Sequence, residues 1–350
     1  MPELLPGPAL RSRVDEALRV FVREETELLV AIDAQLEPVA EQLRQAVAEG
    51  KRLRAAFAYW GWRASGQPDS EAMVRAAAAM ELVHAAAVVH DDLIDDSPIR
   101  RGVPTAHRAL RYAVADGPGC KAQGRSLAML VGDQLMSWAG QMFAGCGLPA
   151  AYLARARPLW ATLARELIAG ECMEILRTSS TPSAESSLEI IRYKTAKYTV
   201  EHPLHLGGYL AGAPPALLDS FTAYGVPLGE AFQLRDDLLG VFGDPHRTGK
   251  SNLDDLAGAK PTALLAHALT GATPADRAHL QARLGRGSLS AAELDQLRDI
   301  IERSGARARV EEMIAQRATA ARTALERAAL PPQAAAALFE LIAAATARTS

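Results

Sequence analysis

The sequence predicts an all-α fold, and three observations carry that prediction. Hydrophobic residues make up 49% of the chain, yet only 5% of it is aromatic. The rest of the apolar content is mostly Ala and Leu, which favour helices. Apolar positions recur at three- and four-residue spacing over long stretches, as a helix with one buried face requires. Strand-type alternation is hard to find. At 350 residues the chain has room for one large domain or two ordinary ones. No internal repeat and no obvious linker divides it. The expectation is one all-helical domain over residues 11–350, a thick bundle rather than two lobes.

Taken in order, residues 1–10 carry Pro2, Pro6 and Pro8 and are predicted to form a flexible arm. From there to about Val47, apolar positions recur through Val14, Leu18, Phe21 and Val22, then Leu28, Leu29 and Ile32. Gly50-Lys51-Arg52-Leu53-Arg54 starts a new helix running through Phe57 and Trp60, and Gly66-Gln67-Pro68-Asp69-Ser70 is a turn. Glu71 to Asp96 is predicted as one long helix, almost free of polar residues on its inner faces until a run of aspartates arrives. Further helices are predicted over Gly124–Phe143, Ala150–Leu176, Leu188–Ala211 and Leu217–Val241, the last ended by Gly243-Asp244-Pro245. Thr248 to Asn252 is predicted to be a loop. In the C-terminal third, Ser290 with Glu293 three residues on has the spacing of a capping box.

A net charge of −3 argues against a bulk electrostatic grip on nucleic acid. Cys120, Cys146 and Cys172 are far apart with no CxxC spacing, so neither a disulfide framework nor a zinc site is indicated, and a reducing cytoplasm is the expected home. The N-terminus lacks the pattern of a signal peptide, and no stretch is expected to span a bilayer.

Chemistry concentrates in two aspartate clusters, each following an apolar helical run. The first is His90-Asp91-Asp92-Leu93-Ile94-Asp95-Asp96, closed by Arg100-Arg101-Gly102; the second is Gln233-Leu234-Arg235-Asp236-Asp237. Carboxylates this dense on a greasy helix are costly to desolvate unless cations sit among them. Asp91 and Asp95 lie about 40° apart and one turn along a helix. Two carboxylates so placed suit magnesium, which takes one or two carboxylates, keeps waters, and completes its shell with phosphates. A single cluster reads as readily as a solvated helix end. Two with the same start, each on an apolar helix and each followed by basic residues, favour a divalent-cation site. The alternating acidic spacing and central Gly of an EF-hand are absent.

With these residues in hand, the chain resembles the trans-isoprenyl diphosphate (polyprenyl) synthases, and most closely bacterial geranylgeranyl diphosphate synthases. Matching segments occur in order: Gly50 to Arg54; Glu81-Leu82-Val83-His84, with His84 seven residues before Asp91; the DDxxD of Asp91 to Asp95 with Arg100-Arg101-Gly102; Lys194-Thr195 with Tyr198; Phe232-Gln233 with Asp236-Asp237; and Lys250 and Lys260 beyond. The resemblance covers about residues 45–265, and its order and spacing far exceed a lone motif.

The resemblance implies a homodimeric all-α bundle of ten or more helices around a deep central cavity. It implies that Lys51, Arg54, His84 and Arg101 hold the diphosphate of isopentenyl diphosphate. Arg100, Lys194, Thr195, Gln233, Lys250 and Lys260 would hold an allylic diphosphate. Asp91, Asp95 and Asp236, supported by Asp92 and Asp237, would bind a cluster of up to three Mg2+ ions. The implied reaction ionises the allylic diphosphate and condenses the carbocation with isopentenyl diphosphate, the released pyrophosphate taking the final proton. Fixed cations would stabilise the leaving charge as it develops, and apolar walls such as Val83, Ala86, Ala87, Leu135 and Leu234 would exclude water. Gly240 replaces the third aspartate of the second motif, leaving chelation there to Asp236 and Asp237. Asp254-Asp255 is either outer-shell or surface.

Plain structural roles compete at single positions. His90 is expected to be structural, Lys51 and Arg54 also read as a dipole-mismatched surface pair, and Thr195 as a helix residue bonded to its own backbone. Product length turns on the residues before Asp91. Ala87 and Ala86 lie one turn before it and Val83 two turns, with Ala79 and Ala76 deeper; one turn is about 5.4 Å, close to one isoprene unit. No aromatic floor stands at the first turn, so the expected product is geranylgeranyl diphosphate. Trp138, Met136 and Met142 read equally as a lower floor or as core packing. Three rival readings are a longer-chain polyprenyl synthase, a class I terpene cyclase and a regulatory subunit of a heteromeric synthase. A cyclase would lack the second aspartate pair and the isopentenyl residues; a regulatory subunit would have lost the aspartates.

Overall fold

The computed structural model describes residues 7–111, 113, 119–178, 180–243, 256, 258–285 and 289–346. Its secondary structure is helical apart from one minimal hairpin among the described residues. Contacts divide the chain into two compact units, residues 1–156 with 206–212, and residues 157–205 with 213–350.

The first unit begins with α1 (Gly7–Ile32). Residues 7–10, which the sequence placed in the flexible arm, lie on this helix, and Leu10 is buried, heading a stripe continued by Val14, Leu18 and Val22 at four-residue intervals; residues 1–6 lie outside the described residues. A 3-10 turn at Ala34–Leu36, capped by the Asp33 carboxylate accepting from Gln35 N at 2.8 Å, breaks the predicted continuous run. It leads into α2 (Glu37–Ala48). Helix α3 (Leu53–Ala64) starts three residues later than the glycine at which the sequence placed it, because Arg52 takes a left-handed conformation (φ 52°). Asp69, in the turn after α3, accepts from Tyr59 Oη at 2.8 Å and from Arg13 at 3.0 Å, tying that turn to α1.

Helix α4 (Glu71–Ile94) is capped by Ser70, whose hydroxyl accepts from Met73 N at 3.3 Å, with Glu71 in the first turn where the dipole favours it. By length and composition α4 is apolar enough to cross a membrane, contrary to the sequence expectation, but 72% of its apolar window is buried within the protein. It is the spine of this unit. Helix α6 (Cys120–Ala144) makes the most extensive contact with it, and α3 and α1 pack on it too. Between α4 and α6 lie strands β1 (Ile99–Arg100) and β2 (Val103–Pro104), paired antiparallel with Arg100 opposite Val103, and the short α5 (Ala106–Ala109). The hairpin turn is Arg101-Gly102, both at positive φ (53° and 79°), the signature of a two-residue type I′ turn.

Helix α7 (Ala150–Arg177) and α9 (His202–Ala211) each contribute to both units. In the second unit, α8 (Ala184–Ile191) is followed without a break by a π-helical segment, Arg192–Glu201. The sequence predicts one uninterrupted helix here, and periodicity does not distinguish a π from an α stretch. Helix α10 (Pro215–Phe242) passes this segment so closely that a Cβ on Gly229 would meet Ala196 Cβ and O at 2.7 Å, and one on Gly225 would meet the Glu201 backbone. Among the described residues, five further helices follow in this unit, Ala263–Gly271, Pro274–Arg283, Ala291–Arg303, Ala306–Arg327 and Pro332–Thr346. Leu234, Leu238, Leu264, Leu297, Ile301, Val310 and Ile314 share its core. The capping box at Ser290 and Glu293 forms as its spacing predicted.

The π segment is pinned by partly buried polar contacts. Lys197 Nζ reaches Glu166 of α7 at 2.9 Å, His202 Nε2 lies 3.0 Å from the same carboxylate, and Thr222 Oγ1 donates to Glu201 at 2.9 Å. Burial pushes the His202 imidazole down to about 4, with Lys197 adding to the effect and Glu166 opposing it.

This packing makes stability sensitive to two side chains. Gly229→Ala forces Cβ onto the Ala196 backbone and should lower unfolding free energy by roughly 1–3 kcal/mol, read from urea denaturation. His202 is neutral in the folded protein and protonates more readily unfolded, so its contribution to stability is present above its unfolded value and is lost as pH falls toward about 4. Denaturation midpoints should drop between pH 6.5 and 4, and His202→Gln should flatten that slope.

Candidate active site

In the first unit, Asp91, Asp92 and Asp95 close α4, where the chain leaves its buried helix. Asp92 is buried, Asp91 is a quarter exposed at its side chain, and Asp95 is exposed. The charge of Asp92 is met by Arg100 from β1, whose Nε donates to Asp92 Oδ1 at 2.9 Å and whose Nη2 bonds the same oxygen and lies 3.5 Å from Asp91 Oδ2. This pairing holds the Arg100 guanidinium above its ordinary range against the opposing effect of burial. Arg100 thus sits on the aspartates, leaving Asp91 and Asp95 as the more open carboxylates.

The loop after α4 is anchored by Asp96, which also has a positive φ of 53°. Its carboxylate accepts from Arg108 at 2.9 Å and Arg125 at 3.1 Å, and His107 Nε2 lies 3.3 Å away. The sequence alone assigns Asp96 no role; its only signal is its place beside the motif. His90 points the other way, Nε2 3.2 Å from Met129 O and 3.5 Å from Asp133, in a space that exists because position 132 is Gly.

The basic residues of this unit gather around His84. Burial drives its imidazole well below the usual histidine range, and Arg54, Arg101, Arg100 and Arg52 push the same way. Four guanidinium groups acting on one neutral ring make a strongly cationic patch, and three of them occupy positions predicted to bind diphosphate. Arg54 is buried near the start of α3, Lys51 is exposed just before it, and Arg101 donates to the carbonyl of Glu49 from its left-handed turn position. Arg52, to which the sequence gives no role of its own, is buried with Nε 2.6 Å from Asp15.

In the second unit, Lys194 and Thr195 lie on the π segment, the kind of helical irregularity that often marks functional sites. Lys194 is ion-paired to two carboxylates of α7, Glu171 at 3.0 Å and Glu174. Gly170 is what lets α7 come this close, since a Cβ there would strike the Lys194 backbone. Sequence reasoning misses Glu171 and Glu174, although an i, i+3 acidic pair beside a glycine is a signal the chain holds. Thr195 bonds not to its own backbone but across to α10: its Oγ1 donates to Gln233 Oε1 at 2.8 Å, and Gln233 Nε2 donates to Asp237 Oδ1 at 2.8 Å. This chain buries Asp237 as the anchor of a polar relay, while Asp236 beside it is half-buried. Lys260 is half-buried ahead of the helix that Thr262 caps. Lys250, with Asp244, Asp254 and Asp255, lies outside the described residues.

Among the described residues, no group of three or more His, Cys, Asp or Glu side chains forms a ready-made metal cage. Magnesium takes only one or two protein carboxylates, so binding it would not require such a cage. An Asp91–Asp95 pair at a solvent-facing helix end offers hard oxygens, and the rest of the shell would come from water and phosphate.

Comparison with known proteins agrees with this arrangement. A family model described as polyprenyl synthetase matches residues 36–301. The (2E,6E)-farnesyl diphosphate synthase of Mycobacterium tuberculosis is 32% identical over 262 residues, 74% of this chain and 68% of that protein. The octaprenyl diphosphate synthase of Escherichia coli is 31% identical over 240 residues, 68% of each. A crystal structure of geranylgeranyl pyrophosphate synthase from Corynebacterium glutamicum, complexed with isoprenyl diphosphate and magnesium, matches with a TM-score of 0.92 and 35% identity, covering 96% of this chain and 98% of that one. Both motif helices, the basic residues around His84 and the helical fold thus lead to one conclusion: this chain belongs to the polyprenyl synthetase family and is a trans-prenyl diphosphate synthase.

Proposed function

We propose that the enzyme makes geranylgeranyl diphosphate, joining isopentenyl diphosphate to dimethylallyl, geranyl or farnesyl diphosphate. The observation that carries this reading is the small side chains on α4 ahead of Asp91: half-buried Ala87, then fully buried Ala86, Val83, Ala79 and Ala76. A growing chain would meet no ring within the first two turns. Trp138 packs edge-on against Phe21 of α1, ring centroids 6.1 Å apart, which supports a core role for it and leaves a floor role to the product assay. The same small residues also suit a longer product, and the similarity to an octaprenyl synthase favours that as the second reading.

Lys51, Arg54, His84 and Arg101 would bind the isopentenyl diphosphate, supported by the cationic surroundings of His84. Neutral at working pH, His84 would offer a hydrogen bond without a like charge among the arginines. Lys194, Thr195, Gln233, Lys250, Lys260 and Arg100 would grip the allylic diphosphate. Lys194 would then exchange Glu171 and Glu174 for the diphosphate, or share them with it. Asp91, Asp95 and Asp236 would ligate magnesium, with Asp92 and Asp237 supporting through Arg100 and Gln233. When bound, magnesium would neutralise the leaving diphosphate as the allylic C–O bond breaks. The residues' own task is to fix that diphosphate, hold the second substrate's double bond near the cation, and keep water out. We further propose a homodimer: Met129 and Leu130 on α6, and Ile168, Ile175 and Leu176 on α7, are exposed apolar residues that self-association would cover. Three free cysteines support a reducing cytoplasm.

Product chromatography with isopentenyl diphosphate and each of the three short primers should give a twenty-carbon product. Ala87→Phe should shorten it to fifteen carbons; forty carbons from the parent enzyme would replace this reading with the longer-chain one. Asp91→Asn should lower kcat by about 10²–10³-fold, the scale of losing one group that stabilises developing charge. Asp237→Asn, which keeps an acceptor for Gln233, should cost far less; equal losses at the two positions would refute the division of labour between ligand and relay anchor.

A further inference from the structure

Helix α3 begins with an electrostatic problem. Its first turn follows Lys51 and Arg52 and contains Arg54, placing cations where the helix dipole is itself positive. The residue in the N-cap position is Arg52, left-handed at φ 52° and ψ 38°, and its side chain makes no capping bond. An N-cap side chain ordinarily accepts from the backbone N–H of the second or third helical residue. In α3 that acceptor comes from another helix. Glu81 of α4, 97% buried, accepts from Ala55 N, the third residue of α3, at 2.9 Å. Glu81 also lies one turn before His84 on α4, and its charge acts on Arg101.

We propose that Glu81 is a positioning residue for isopentenyl diphosphate: it supplies from α4 the cap that α3 lacks and so fixes Lys51 and Arg54 relative to His84. A buried carboxylate on a helix N-terminus is a charge-assisted contact, and it offsets both the exposed N–H dipoles and the nearby cations. One side chain thereby joins the helix that carries His84 to the helix start at which Lys51 and Arg54 stand. Without it, the first turn of α3 loses its acceptor while its cations repel the helix end, and the diphosphate ligands drift. Glu81 itself touches no substrate in this scheme.

The inference rests on the reading of Lys51 and Arg54 as diphosphate ligands, so its test begins with inorganic pyrophosphate in the absence of divalent metal. Glu81→Gln keeps an acceptor oxygen; Glu81→Met fills nearly the same volume without one. The Met variant should raise the dissociation constant for pyrophosphate about tenfold, and the Gln variant by less than about threefold. In turnover, the Met variant should raise KM for isopentenyl diphosphate with KM for the allylic primer unchanged, and Gln should restore it. Equal behaviour of Met and Gln, or a rise in both KM values together, would overturn the positioning role. Hydrogen exchange of the Ala55 amide in the unaltered protein needs no variant: slow exchange is expected, and exchange as fast as a frayed helix end would overturn it. A parent protein that forms no prenyl product yet loses pyrophosphate affinity only in the Met variant would sink the proposed reaction and leave the anchoring role standing.

Discussion

Several charges that leave water in this helical chain are met by opposite charge, and the geometry of the candidate site depends on those pairings. Desolvating a lone carboxylate or ammonium costs several kcal/mol, so the motif residues are held by partners. Asp92 has Arg100, Asp96 has Arg108 and Arg125, and Lys194 has Glu171 and Glu174. Glu230 is shared by Arg192 at 2.9 Å and Arg317 at 2.8 Å. Such pairs contribute little net stability. Their effect is geometric: they fix the orientation of the side chains they join.

Backbone proximity does the complementary work. Gly170, Gly225 and Gly229 admit the π segment against α7 and α10 at distances that any Cβ would forbid. Lys194 and Thr195 are therefore presented from a stretch fixed on two sides, and the Thr195–Gln233–Asp237 relay bridges the same π segment to α10. Within the first unit the equivalent fixing is done by side chains. Asp96 clamps the end of α4, Asp15 and Glu49 hold Arg52 and Arg101, and Glu81 caps α3.

The helical class, most helix limits, the capping box at Ser290 and both aspartate clusters were legible because they are periodic or local signals. What escaped was nonlocal or irregular. The π segment has the composition of an α-helix, so nothing in Arg192 to Glu201 announces it. The two-residue strands at Ile99 and Val103 are too short for any period, although Arg101-Gly102 is a turn signal in hindsight. Helix α4 was expected to be too short or polar for a bilayer, whereas its alanines and valines pass that test and are buried in the core instead. Glu81, Glu171 and Glu174 gain their meaning only from what lies across from them. A lone glutamate such as Glu81 has no sequence signature of partnership, and the Glu171–Glu174 pair beside Gly170 signals a close approach without naming its partner.

The hairpin turn at Arg101 carries a consequence for anyone who would engineer this enzyme. A non-glycine residue in the left-handed region costs about 1–2 kcal/mol, and Arg101 occupies it with Gly102 immediately after. Selecting variants for heat tolerance alone would reward Gly or Asn at this position, because both adopt that backbone more easily. The same step would delete a cation from the neighbourhood of His84. If Arg101 binds diphosphate as proposed, thermostability and substrate capture conflict at one codon, and a library screened only for survival on heating would drift toward a sturdier enzyme with a weaker substrate site.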